Sequence, residues 1–417
     1  MTASGEEPRS GRLAALRSRD FRLLFFGQIV SLTGSQMQTV AVPYQIYKLT
    51  GSSLALGMIG LCRVVPIVIF ALGGGVIADA LDRRRLMILS QSLMAACSLT
   101  LAWTTRSGHI TPGVMYAVIA LGGAALALDS PARQSLVPLL VPREHLANAL
   151  SLHAMAWEIA AIAGPSLAGL IIAWSGVFPV YVLDGVSFAA VIAALLAMHH
   201  RAPPRSSVNI SIGAMLDGLR FIARTPIILS TMVLDAIATF FAGSLLLLPV
   251  YADRLLHVGP RGLGLLYAAQ PAGAAVAAAL LASRGTIHRQ GAAVLWSIVI
   301  YGAAVALFGV SPWLPLSLVL LALSGAADTV SMVVRQTLRQ LLTPDELRGR
   351  MTSVNMIFFI GGPQLGEFEA GVVARAVGPR FSVTSGGIAC VLAAVVTMFA
   401  VPSLRKLTAH DYDTAMR

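Results

Sequence analysis

The sequence predicts an all-α membrane protein with twelve transmembrane helices in two pseudo-symmetric six-helix bundles. Three observations predict it. Apolar runs of about 20 residues, the length a helix needs to cross a ~30 Å hydrocarbon core, recur along nearly the whole chain. Basic residues gather on one side of those runs. The second half of the chain also repeats features of the first at an almost constant offset.

Of the 417 residues, 56% are hydrophobic and 12% charged, where a soluble domain carries about a quarter charged. Inside lipid every backbone N–H and C=O must be paired within the protein, so such runs become helices. They do not alternate as barrel strands would. The spans fall near 21–47, 53–79, 86–105, 112–132, 146–174, 177–198, 226–252, 260–283, 290–310, 313–335, 351–375 and 381–402. Of the Lys and Arg residues, 23 lie on the side holding both chain ends and 6 on the other, with Arg63 inside a span. That asymmetry, with the even helix number, places both termini in the cytoplasm. It also accounts for the net charge of +11 without nucleic acid as a partner. The expected location is the inner (cytoplasmic) membrane, with the lipid bilayer and a small-molecule substrate as partners.

Residues 1–20 read as a polar cytoplasmic tail without a cleavable signal pattern. Residues 21–198 form the first bundle. Helix one carries Gln28, Gln36 and Gln38, polar candidates for contact with substrate, and Pro43. Helix two holds Arg63 mid-span, a further candidate for contact with substrate, and ends in GGGVIADALDRRR, where Gly75 and Asp79 precede Arg83. Glycine lets helices approach closely, and Asp79 and Arg83 stand one turn apart and could pair. Helix four ends with Asp129 and Arg133. Helix five contains Glu158, then Gly164-Pro165 with Gly169, where proline removes a hydrogen bond and bends the helix. Asp184, near the outer end of helix six, reads as a static or interfacial group.

Residues 199–225 are the longest polar break and begin as a linker. Their end, IGAMLDGLRFIA, has apolar residues at helical spacing and reads as a short amphipathic helix on the inner surface. Residues 226–402 form the second bundle, and 403–417 a cytoplasmic tail. Helix seven carries Asp235 and helix ten ends with Asp328 and Arg335. Helix eleven holds Gly362-Pro363, Glu367 and Glu369.

Arg133, Gln134, Pro142 and Glu144 recur as Arg335, Gln336, Pro344 and Glu346, all at an offset of 202. Gly164-Pro165 recurs as Gly362-Pro363 at 198, Pro43 as Pro249 at 206, and Pro66 as Pro271 at 205. An ordered series of this kind marks two parallel repeats around a central cavity. Charge within a span is expensive and marks a route or a pair. Arg63 needs a carboxylate, and by depth Glu158 and Glu367 are the plausible partners. A carboxyl group in an apolar cavity can take up and release protons, because desolvation penalises its charged form. Asp235 and Glu158 are the first candidates for such a carrier, then Glu367. Asp129, Arg133, Asp328 and Arg335 sit at inner helix ends and suit a gate.

The GxxxD spacing with its basic cluster resembles the loop between helices two and three of the major facilitator superfamily. Residue 80 is Ala where that family usually has Arg. The segments LDSPARQSLVPLLVPREHLANALSL (128–152), GPSLAG, LDGVSF, GGPQLGEFEAG and AVPYQIYKLTGSSLALG resemble its bacterial transmembrane secretion effectors, the enterobactin-exporter-like subfamily. The resemblance covers about residues 13–402. It implies proton antiport of siderophores, antibiotics or other amphipathic molecules, a monomer, and a cytoplasmic latch of Gly75, Asp79, Arg83 and Asp129. It places Asp235 towards substrate, because helices one, four, seven and ten line the cavity in that fold. Gly164-Pro165 matches part of an antiporter signature, with Ala160 in place of the usual upstream glycine.

No HExxH, P-loop or GxSxG occurs, so an enzyme and an ATP-driven pump are not expected from this chain. No metal or cofactor is expected either, and the three cysteines read as small core residues. Energy then comes from an ion gradient, the proton expected and sodium left open. The leading reading is a proton-coupled exporter. An uptake permease of the same fold, and a non-transporting sensor or scaffold, are the alternatives.

Overall fold

A computed structural model describes residues 14–80, 82–199, 220–284, 287–343 and 345–408, the description leaving out the side chains of 70–80, 131, 135, 242–244 and 345–360. The first bundle contains α1 (Arg19–Thr50), α2 (Ser53–Ala80), α3 (Arg83–Arg106), α4 (Pro112–Leu136), α5 (Leu146–Ser175) and α6 (Phe178–Ala197). The second contains α7 (Pro226–Phe241), α8 (Gly259–Arg284), α9 (Gln290–Val310), α10 (Leu314–Leu342), α11 (Asp345–Ala376) and α12 (Pro379–Ala400). Nine helices among the described residues are long and apolar enough to cross a membrane. The others of this length are α1, α2 and α11. Polar Gln28, Ser31, Gln36 and Gln38 dilute the apolar character of α1, and part of α2 and of α11 lies outside the described side chains.

Local chemistry sets the short connections. Gly51 adopts φ 61° and donates its N–H to the Tyr47 carbonyl at 2.7 Å, closing α1 in the left-handed conformation glycine favours. Asp82 caps α3 by accepting from the N–H groups of Arg84 (2.8 Å) and Arg85 (3.3 Å). Thr111 caps α4, with Pro112 at the first helical position.

Helix seven departs from the continuous span expected over 226–252. Regular α-helix stops at Phe241, a 3-10 segment follows over Ala242–Leu247, and a π-helical turn covers Tyr251–Leu255. Pro249 has no N–H to give the ladder there, which is a physical reason for the break. Of the expected linker helix, residues 220–224 are helical, and Ile222 packs with Ile228 and Met232; most of the segment lies outside the described residues.

The repeat seen in the sequence is a repeat of packing. Helix α1 packs on α5 and α6, α2 on α4, and α3 on α4 and α6. Six helices later, α7 packs on α11 and α12, α8 on α10, and α9 on α10 and α12. The bundles meet along α2–α11 and α5–α8, contacts that the same two-fold relation exchanges. The outer surface is apolar, with Trp103, Trp174 and Trp313 strongly exposed near one set of helix ends, as in an aromatic belt at a membrane interface.

Candidate functional site

The glycine-proline pairs sit at equivalent places. A Cβ on Gly164 of α5 would lie 2.9 Å from the Thr33 carbonyl of α1, and one on Gly362 of α11 would lie 3.1 Å from the Thr239 hydroxyl of α7. Thr33 and Thr239 are themselves repeat equivalents, each bonding the carbonyl four residues earlier, Ile29 at 2.8 Å and Asp235 at 2.7 Å. Both kink motifs thus seat a helix against the first helix of its own bundle. Gln36 of α1 packs on Gly164 as well, its Cβ only 2.6 Å from where a side chain there would begin.

Asp235 does not stand alone in a cavity wall. Its Oδ1 lies 2.8 Å from Arg335 Nη2 and its Oδ2 lies 2.8 Å from Arg339 Nη2, so two arginines one turn apart on α10 grip one carboxylate of α7. Arg335 is also 3.8 Å from Asp328. Both arginines are buried. By sequence Arg339 reads as one more loop charge, and its part here is missed. A signal exists, because residues 335 and 339 share a helix face and a basic pair on one face of a span requires an acid.

In the first bundle the repeat-equivalent arginine, Arg133, pairs instead with Asp129 on its own helix. Asp129 is fully buried and also accepts from Ser90 Oγ and Gln91 Nε2 of α3, each at 2.9 Å. These bonds tie α4 to α3 inside the bundle. Arg83 lies at the start of α3, whereas Gly75 and Asp79 fall in the stretch whose side chains lie outside the description, and with them the expected Asp79–Arg83 pair.

Across the bundle interface, Arg63 Nη1 of α2 stands 3.9 Å from Glu367 Oε1 and 3.5 Å from Gln364 Oε1, both on α11. Of the two carboxylates expected opposite Arg63, the structure brings Glu367 there. Glu158 is half-buried on α5, and among the described residues no basic group lies within 4.0 Å of it. Gln28 is buried, its Nε2 without a hydrogen-bond partner among the described residues, while Gln38 donates to Ser98 Oγ of α3 at 3.0 Å.

Glycines let the bundles pack closely against each other. A Cβ on Gly371 of α11 would lie 2.7 Å from Gly57 Cα of α2, and one on Gly169 of α5 would lie 2.9 Å from Gly264 Cα of α8. Near these contacts Lys48 Nζ reaches Asp253 Oδ1 at 2.6 Å, and Arg254 lies 5.6 Å over the Tyr47 ring. By sequence Lys48 and Arg254 read as loop charges, and Asp253 is not singled out. Their partners are about 200 residues away, beyond the reach of any local pattern.

Two repeats packed as pseudo-symmetric bundles are an architecture found in many transporters. Residues 10–416 match the family model described as transmembrane secretion effector. The chain belongs to that family, within the major facilitator superfamily. It is 26% identical over 389 residues to the enterobactin exporter EntS of Shigella boydii serotype 18, covering 93% of this chain and 92% of that one. It is 25% identical over the same length to EntS of Escherichia coli O1:K1. In fold it is similar to a bacterial homologue of the human lysosomal transporter Spinster, solved inward-facing and unoccupied, with TM-score 0.69, 14% identity and coverage of 93% and 96%. A bacterial homologue of the iron transporter ferroportin also gives TM-score 0.69, with 18% identity and coverage of 91% and 98%. The chain is therefore a multi-pass membrane transporter, and its family and relatives are transporters rather than enzymes.

Proposed function

We propose that this chain exports amphipathic, siderophore-like or drug-like small molecules in exchange for protons, as a monomer in the bacterial inner membrane with both termini cytoplasmic. The observation that carries the reading is the two-fold seal between the bundles, Gly57 on Gly371 and Gly169 on Gly264, topped by Lys48–Asp253. With the termini inside, these contacts are an outer gate. Breaking them while the inner ends of the bundles come together turns the central site outward, which is alternating access by rocking of two rigid bundles. The enterobactin exporters among its relatives support the outward direction and a siderophore-like cargo.

Glu158, Asp235 and Glu367 remain the carriers proposed from the sequence, and their surroundings rank them. Glu158 is half-buried with no cation beside it among the described residues, so no ion pair must break before it exchanges a proton. Glu367 must separate from Arg63, and Asp235 from two arginines. Neutralising a buried carboxylate lowers the cost of passing through an occluded state in which water is excluded.

The test is transport by purified protein in liposomes. A panel of dyes, antibiotics and siderophores is offered under inside-acid and inside-alkaline gradients, for the wild type, Glu158→Gln and Asp235→Asn. Export coupled to protons is expected as movement that follows the gradient and is lost in Glu158→Gln. Movement in the opposite sense to the proton-antiport direction would make this a permease. Movement indifferent to the gradient would remove proton coupling.

A further inference from the structure

We infer that Asp184 of α6 is a proton-binding site of the first bundle, held by Ser98 of α3 and Gln38 of α1. The inference rests on the reading of the chain as a proton-driven exporter for its role, but not for its chemistry. Asp184 is fully buried, and among the described residues no basic group lies within 4.0 Å of it. Its Oδ1 has no partner at strict hydrogen-bond geometry among them, and the Ser35 hydroxyl of α1 is the polar group facing the carboxyl from that side. Three other acids inside the spans each have an arginine beside them: Asp129 has Arg133, Asp235 has Arg335 and Arg339, and Glu367 has Arg63. An ionised carboxylate at residue 184 would be a buried, uncompensated charge.

The hydrogen bonds around Ser98 accommodate a protonated carboxyl, and the absence of a cation within 4.0 Å among the described residues favours that form. Its hydroxyl oxygen lies 2.6 Å from Asp184 Oδ2, 3.1 Å from the Met94 carbonyl and 3.0 Å from Gln38 Nε2. The amide of Gln38 donates and the Met94 carbonyl accepts. One hydroxyl proton cannot serve both Met94 and a carboxylate. If Asp184 carries a proton and donates it to Ser98, the hydroxyl accepts twice, donates once to Met94, and all three contacts are satisfied. The groups facing Asp184 are Ser35 from α1 and Ser98 from α3, with Gln38 of α1 bonded to Ser98, and none of the three titrates. On its own helix the titratable neighbour is Tyr181, engaged with Gln45 Oε1 at 2.7 Å.

The site is sealed by close helix packing. A Cβ on Gly34 of α1 would lie 3.0 Å from Asp184 Cα, and one on Gly185 would lie 2.8 Å from Leu99 of α3. Asp184 thus sits where three helices of one bundle converge, and half-buried Gln38 joins it to the more accessible side of α1. Loss of its proton leaves a charge that only a shift of α1 against α3 and α6 can hydrate. Protonation and helix packing are coupled at this point.

Infrared difference spectra of the purified full chain between acid and alkaline buffer report protonated carboxyl groups directly. A carboxyl C=O band present at low pH should lose one group's intensity in Asp184→Asn, while Glu158→Gln and Glu367→Gln leave that component in place. Ser98→Ala should move its midpoint without removing it, a readout that also serves if Asp184→Asn folds poorly. An acid-minus-alkaline spectrum unchanged by both Asp184→Asn and Ser98→Ala overturns the assignment. In liposomes, Asp184→Asn should keep substrate exchange but lose at least tenfold of gradient-driven accumulation. Full gradient-driven accumulation in that variant overturns the coupling role. If the wild type itself ignores the gradient, proton-driven export fails, while the infrared band still decides whether Asp184 binds a proton.

Discussion

Arg335 of α10 and Asp235 of α7 meet at 2.8 Å inside the second bundle, and Arg339 closes on the other carboxylate oxygen at the same distance. In the first bundle the equivalent arginine turns to an acid on its own helix. The two halves therefore share a fold but not a charge circuit. In the second, the first helix of the bundle is bound to the fourth by two ion pairs.

Breaking that clamp should be costly. Asp235→Asn leaves two buried guanidinium groups facing a neutral amide, and about 3–5 kcal/mol of stability should be lost. Replacing the triad together, as Asp235→Leu with Arg335→Met and Arg339→Met, should restore part of it, because the one carboxylate then left without its arginine is the half-buried Asp328, a looser partner at 3.8 Å. Thermal unfolding in detergent compares the two. Equal destabilisation by both would show that the ion pairs are not what holds α7 to α10.

The Lys48–Asp253 pair behaves differently because it is half exposed. Lys48→Ala should change stability by less than about 1 kcal/mol, as for exposed ion pairs generally. It should nonetheless raise the labelling rate of a cysteine placed on the α1 side of the gate. The charge swap Lys48→Asp with Asp253→Lys should return labelling towards wild type. A swap that labels as fast as the single variant would remove the pair from the gate.

Gly371→Leu places a side chain where Gly57 now touches the helix, and Gly169→Leu does the same towards Gly264. The neighbours in both cases are backbone atoms and cannot swing aside, so the seal should be held open. Transport should fall at least tenfold while the protein remains folded by size-exclusion chromatography. Retained transport would mean that the helices close elsewhere.

Arg63→Gln should leave Glu367 facing the interface without its cation. Stability should fall, and Arg63→Gln combined with Glu367→Gln should recover much of the loss, as measured by thermal unfolding. A double variant less stable than either single one would show independent partners for the two side chains.

The fold is legible in the sequence because its signals are local or periodic. Apolar length marks the helices, and an offset near 200 between like motifs marks the two bundles. The candidate site is legible only as a set of expensive residues. Charge inside a span announces that a partner exists but not which one, so Arg63 has two possible acids and Arg339 passes as a loop charge. Asp184 reads as interfacial because its depth in α6 says nothing about α1 and α3 packing over it. Helix seven reads as continuous, since hydropathy does not distinguish α from 3-10 or π turns.

By itself, then, the sequence determined the membrane class, the repeated halves, the kink motifs and most of the ionisable groups inside the spans, because each follows from composition and spacing along one chain. Only the tertiary structure decided that Asp235 holds two arginines, that Glu367 faces Arg63, that Lys48 reaches Asp253, and that Asp184 has no cation beside it among the described residues. The physical reason is that electrostatic partners are chosen by distance through space. A guanidinium and its acceptor can stand 104 or 301 residues apart in sequence, as Arg339 and Asp235 or Arg63 and Gln364 do, and still meet once the helices pack.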